Sequence, residues 1–260
     1  MGNSNQASWT FLILALALAG CGTPPKEAST APIPVKETPT LAPKPEDRAS
    51  DLLKDAASKP SMPLEGEGWQ SLFDGQSLKG WRETAFAGRG QVECRFGLLL
   101  FNMGDPFTGL NFTNEVPELN YEVTLDAMRV SGSDFFCGLT VPVRESFCSL
   151  IVGGWGGSLV GISSLNGMDA SENETTKYVS FEQGRWYRIR LRVTEERIEA
   201  WIDKEKLINV VTTRKRISLR PGEIELSKPF GIASWQTTAA LRDIKLRRVD
   251  GPADPPPKEE

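Results

Sequence analysis

"RWYRIRLRVTEERIEAWID", residues 185–203, decides the fold class. A reversal at Glu195 and Glu196 sets Val193 opposite Ile198, Leu191 opposite Ala200 and Ile189 opposite Ile202, one continuous apolar face. The same register sets Arg192 against Glu199, Arg190 against Trp201 and Arg188 against Asp203 on the other face. Two ion pairs and one cation–π contact thus follow from a single choice of turn. A period of two with matched partners is an antiparallel hairpin. Glu-Glu lacks the positive-φ preference of a tight two-residue loop, so the pairing carries the assignment and not the turn chemistry. The row Arg188, Arg190, Arg192 with Trp201 admits a ligand platform, but matched partners are what a solvated sheet face needs in any case, and that reading is preferred.

Working outward, residues 65–249 repeat this pattern in short alternating runs separated by Gly, Asn, Asp and Ser, with almost no helical period. "LNYEVTLDAMRV" sets Tyr121, Val123, Leu125 and Ala127 toward a core and Glu122, Thr124 and Asp126 toward water. An all-β sandwich or barrel is predicted. Residues 21–64 are rich in Pro, Ala, Thr and Lys and read as a disordered tether, in which "EDRASDLLKDAASK" predicts a helical turn or two. Residues 250–260, "GPADPPPKEE" with the preceding Asp250, read as a disordered tail.

The first 20 residues contain "FLILALALAG", an apolar run of signal-peptide length. "LAGC" closes it and resembles the bacterial lipobox, which implies that Cys21 is lipidated and that the chain is anchored at a bacterial cell envelope, periplasmic or surface-facing. Cys94, Cys137 and Cys148 are then left, an odd number with no C-x-x-C pair. Cys137 and Cys148 fall on successive strands, and buried thiols are preferred to a bridge between them. The formal net charge of −4 and the lack of a Lys/Arg run exclude a nucleic-acid partner, and a monomer is expected. Histidine is absent, so a Ser-His-Asp triad and most zinc chemistry are excluded, and catalysis would fall to Asp, Glu, Tyr or Lys.

"GGWGG", residues 153–157, holds no G-x-G-x-x-G and no G-K-[ST], which removes the nucleotide readings. Two alternatives stand. Trp155 stacks on a sugar's apolar face while the bare backbone around Gly154 and Gly156 reaches its hydroxyls, or the stretch is a bend whose tryptophan plugs the core. Candidate carboxylates nearby are Asp134, Glu145, Asp169, Glu172 and Glu174. Asp134 before "FFCG" is either an acid/base group or a turn residue holding backbone N–H groups. "DASENETT" has oxygens at Asp169, Ser171 and Asn173, but Glu174 and Ser180 exclude an EF-hand, leaving a solvated loop or an irregular calcium site; otherwise no cofactor or metal is expected.

"WQSLFDGQSLKGW", residues 69–81, resembles the opening signature of the bacterial 3-keto-disaccharide hydrolase domain family. "GRWYRIRLRV" and "PFGIASWQTTAALRDIKLRRV" resemble its later strands, so the resemblance spans the folded part. It implies a concanavalin A-like, laminin G-like jelly roll of two antiparallel sheets, with cleavage of sugars oxidised at C3 or carbohydrate binding as its activity. By the same comparison Gly138 and Arg144 match pocket positions, while Ser149, Ile151 and Gly153 stand where the family carries Glu, Gln and Asp. The expectation is a carbohydrate-active domain with Trp155, Gly154, Gly156 and Arg144 binding substrate and Asp134 paired with Asp169, Glu172 or Glu174 as acid and base. A non-catalytic carbohydrate-binding module is the alternative.

Overall fold

A computed structural model describes residues 45–249. The expected signal peptide with its lipidation site at Cys21, most of the expected tether and the expected tail at 250–260 lie outside the described residues. One helix, α1 (Pro45–Ser58), precedes the strands β1 (Gln70–Ser71), β2 (Trp81–Glu83), β3 (Val92–Arg95), β4 (Leu98–Phe101) and β5 (Phe107–Phe112). Then follow β6 (Tyr121–Gly132), β7 (Cys137–Val143), β8 (Ser146–Gly154), β9 (Leu159–Ser163) and β10 (Lys177–Tyr178). The chain continues through β11 (Tyr187–Val193), β12 (Arg197–Ile202), β13 (Glu205–Val211), a 3-10 turn (Glu223–Ser227), β14 (Gly231–Trp235) and β15 (Thr237–Arg248). Strands β13-β12-β11-β6-β15-β4-β3 form sheet 1, with β1 on β15, and β10-β9-β8-β7-β14-β5-β2 form sheet 2. All pairings are antiparallel. The domain is a two-sheet sandwich of the concanavalin A-like jelly-roll class.

The β11–β12 register is the one predicted, from Ile189 with Ile202 to Val193 with Ile198. Its apolar face joins Tyr121, Val123, Leu125 and Ala127 in the inter-sheet core, opposite Cys148, Leu150 and Val152 of sheet 2. Arg190 lies 3.9 Å over the Trp201 ring, and Arg192 pairs with Glu199 at 3.7 Å. One predicted pair is replaced. The carboxylate of Asp203 accepts from the Arg188 backbone N–H and pairs with Arg185, while the Arg188 guanidinium goes to Asp126.

The face expected to be wet is dry. Glu122 is 0% exposed and Glu199 1%, because Arg192 and Arg247 close over the first and Arg192 and Lys206 over the second, and α1 covers a further part of sheet 1. Leu53 and Ala56 of α1 pack on Leu98, Leu100, Met128 and Ala240. The segment expected within the tether is therefore a helix of 14 residues docked on the domain. Arg242 Nη1 donates to the carbonyls of Ala56 and Lys59, and Trp186 Nε1 donates to Ala56, so carbonyls at the helix C-terminus have partners. On the same face of sheet 1 Glu122 pairs with Arg192 and Arg247, and Asp126 with Arg188 and Arg242. A charge buried this deeply persists only when paired, which accounts for the dense partnering. Cys137 and Cys148 are free and buried, opposite Val152 and Val141 and not each other.

Candidate functional site

The site begins with the glycines. A bulge between Val152 and Gly154 ends β8, and Trp155–Ser158 turn the chain into β9. Gly153, Trp155, Gly156 and Gly157 all have left-handed backbone, with φ of 79°, 48°, 84° and 111°. Glycine adopts this at little cost, but Trp155 does not, and strain of this kind in a non-glycine residue concentrates at functional positions. The Trp155 side chain is 42% exposed. The core-plug alternative is thereby overturned: the stretch is a bend, and its tryptophan points to solvent.

Arg129 of β6, buried below this turn, holds it. Its Nη2 donates to the carbonyls of Asp134, Gly153 and Gly157 at 3.2, 3.2 and 2.8 Å, and its guanidinium lies 5.2 Å over Phe136. Desolvation lowers the Arg129 pKa, opposed by the nearby Asp134 charge. Asp134 Oδ1 accepts from the Phe135 N–H at 2.7 Å and Oδ2 from the Gly156 N–H at 3.2 Å. Both oxygens thus organise the backbone, as the turn reading of Asp134 anticipates, and the residue also stands in a pocket wall.

That pocket, of about 520 Å³, opens on the face of sheet 2 turned away from sheet 1. Phe107, Phe135, Ile151 and Trp235 make its apolar floor, and Asp105, Asp134, Trp155, Ser163, Arg220 and Glu223 stand around it. Its size suits a small ligand. Phe107 meets Trp235 edge-on at 4.6 Å and stacks on Phe86 at 4.7 Å. These rings can lie close to the sheet because Gly109 and Gly138 lack side chains. A Cβ there would stand 2.9 Å from the Phe86 ring and 3.0 Å from the Phe135 ring.

The Glu223 carboxylate ties two wall loops together, Oε1 accepting from the Ala87 N–H at 3.2 Å. Among the described residues, no donor reaches its buried Oε2. Arg220 Nη1 lies 2.9 Å from Asp169 Oδ2, and its guanidinium 5.9 Å from the Trp155 ring centre. Ser163 Oγ donates to Asp169 Oδ1 at 2.5 Å. Asp169 therefore lies behind the wall, acting on the pocket through Ser163 and Arg220.

The structure thus brings Trp155, Asp134, Gly154 and Gly156 together at the pocket and separates the other predicted residues from it. Glu172 and Glu174 are exposed on the loop after β9, where Glu174 pairs with Lys215 at 2.5 Å. In that loop Asn173 turns inward, its Nδ2 donating to the carbonyls of Ile162, Met168 and Asp169. Arg144 occupies the turn between β7 and β8 and donates to the Glu195 carbonyl. The nine residues of β8 put it on the order of 25 Å from Trp155, at the wrong end of the hairpin for substrate binding. Phe107, Trp235, Arg220, Glu223 and the supporting Arg129 were not anticipated. The only sequence sign for Trp235 is its place on the Ala233 face of "GIASW".

A family model described as 3-keto-alpha-glucoside-1,2-lyase-like domain matches residues 68–247. A comparison with curated proteins returns no match. Among solved structures, a glycosyl hydrolase family protein from Mycobacterium fortuitum aligns with a TM-score of 0.45 at 8% identity, over 70% of this chain and 100% of that one. A carbohydrate-binding module, CBM66, from Bacillus subtilis aligns at 0.43 and 10% identity, over 65% and 95%. A Bacillus subtilis protein of unknown function with a galectin-like fold aligns at 0.48 and 12%, over 66% and 90%.

Proposed function

Since the chain belongs to the 3-keto-alpha-glucoside-1,2-lyase-like domain family, we propose that the pocket on sheet 2 captures a carbohydrate without cleaving it. We place this domain on a chain lipidated at Cys21 and held at a bacterial envelope. The observation that carries the reading is Trp155, fixed in left-handed backbone by a glycine turn and exposed at the mouth of an aromatic pocket. Such a ring stacks on a pyranose face, and the unshielded backbone beside it offers N–H and C=O groups to hydroxyls. Against cleavage, Ser149, Ile151 and Gly153 bring no ionisable group to the outward face of β8, and both oxygens of Asp134 are engaged by backbone N–H groups. The purified chain should bind a glycan on an array. Trp155→Ala should lower that affinity at least about tenfold while leaving the melting temperature nearly unchanged, as loss of an exposed anchor does. Unfolding of Trp155→Ala, or undiminished binding, refutes the reading.

A second reading, cleavage of 3-keto-disaccharides, is favoured by Asp134 and Glu223 sharing one pocket. It predicts release of glucose or 3-ketoglucose, reduced at least about tenfold by Asp134→Asn or Glu223→Gln. No release by the purified chain leaves capture as the function.

A further inference from the structure

The pocket carries an uncompensated negative charge, and on the carbohydrate reading above this narrows the ligand. Asp105, Asp134 and Glu223 line it against one cation, Arg220. Arg220 is already committed to Asp169 at 2.9 Å. The Asp134 and Glu223 carboxylates accept from neutral backbone N–H groups of Phe135, Gly156 and Ala87. The buried Arg129 behind the turn reaches Asp134 through its carbonyl oxygen. Counting Arg129 and Asp169 as well, four carboxylates face two guanidinium groups. The neighbouring pairs Arg89–Glu83 and Lys228–Glu225 add no net charge.

The walls act in the same sense. Phe107, Phe135, Trp155 and Trp235 present aromatic surfaces, whose negative faces attract a cation and whose apolar bulk lowers the local dielectric. Both terms favour a ligand that brings hydroxyl groups and a positive charge, and both work against a carboxylate, sulfate or phosphate. We propose that the pocket selects sugars bearing a free, protonated amine over their N-acetylated and acidic counterparts.

The test measures affinities of the full chain for three oligosaccharide series of matched length: glucosamine, N-acetylglucosamine and galacturonic acid, in mildly acidic buffer. The glucosamine series should bind at least about tenfold tighter than the acetylated one, and the advantage should shrink as salt is raised. Asp105→Asn combined with Glu223→Gln should narrow the gap between the two series to about threefold or less, and a gap that stays at about tenfold overturns the charge selection. Trp155→Ala should weaken both series alike. Equal affinity for the acetylated series, or preference for galacturonic acid, overturns the charge selection and leaves carbohydrate capture standing. Failure of all three series and of a broad glycan panel refutes the carbohydrate reading itself, and this inference with it.

Discussion

Replacing Gly153 by alanine should unfold the domain more easily than the same change at Gly156, although both glycines have left-handed backbone in one turn. The shared part of the cost is conformational, about 1 to 2 kcal/mol for a residue with a Cβ at such φ. The rest differs. A Cβ at Gly156 meets nothing within 4 Å, whereas at Gly153 it would lie 2.6 Å from Arg129 Nη2 and 2.9 Å from the Phe136 ring. The guanidinium can yield only by leaving the carbonyls of Asp134, Gly153 and Gly157, and Phe136 is sealed in the core. Overpacking of this kind adds about 1 to 3 kcal/mol. Gly153→Ala should therefore cost about 3 kcal/mol and Gly156→Ala about 1 kcal/mol. In a domain of this size that corresponds to falls in melting temperature of roughly 6 to 12 °C and 2 to 4 °C. Urea unfolding followed by tryptophan fluorescence gives both values. If the two variants agree within about 0.5 kcal/mol, Arg129 is not the support of the turn.

Other expected outcomes concern the back of the sandwich and the thiols. Leu53 is 3% exposed against sheet 1, so Leu53→Ala should cost about 2 to 3 kcal/mol and open residues 45–58 to limited proteolysis that the parent chain resists there; unchanged cleavage within 45–58 would contradict a docked helix. Arg242→Ala removes the donor to Ala56 and Lys59 and leaves Asp126 with one fewer cation, so it should destabilise by about 3 kcal/mol, whereas a change within 0.5 kcal/mol would show that the helix end needs no cap. Burial pushes the Cys148 thiol up to about 12 and raises Cys137 further. The folded state then keeps protons that the unfolded state releases above about pH 9, so stability should fall as pH rises from 9 toward 12, and Cys148→Ala should reduce that slope. Native protein should show no rapid thiol-reagent labelling at either residue, and labelling at native rates equal to those in urea would contradict their burial.

The β11–β12 pairing was legible because two independent patterns, apolar alternation and charge complementarity, agree on one register across neighbouring residues. What covers that hairpin was not. Glu122, Glu199 and Arg188 read as surface residues in their own strands, and they are dry because cross-strand partners close over them: Arg192 and Arg247 over Glu122, Arg192 and Lys206 over Glu199, and Asp126 with Asp243 around Arg188, while a 14-residue helix docks elsewhere on the same sheet. Leu52, Leu53 and Ala56 are too few to announce that docking from composition alone. At the pocket, Trp155 was legible because five residues, "GGWGG", contain both the ring and the turn that displays it. Arg220 and Glu223 reach the same pocket from more than 60 positions later, in a loop with no period to read. Arg144 failed for a related reason. It lies on the hairpin that carries Asp134 and Trp155, and only strand direction shows that it stands at the opposite end.

The docked helix also sets how the domain takes mechanical load. The described chain enters through α1, pinned by Arg242 and Trp186 to sheet 1, and leaves through β15, a central strand of that same sheet. A pull applied at either end is met by sheet 1: on the entering side it must peel the helix from Leu98, Leu100 and Met128, and on the leaving side it must shear β15 from β6. Neither path runs through the Trp155 turn or the strands of sheet 2. The domain can be tugged, tagged or immobilised by its ends while the ligand-facing sheet stays at rest.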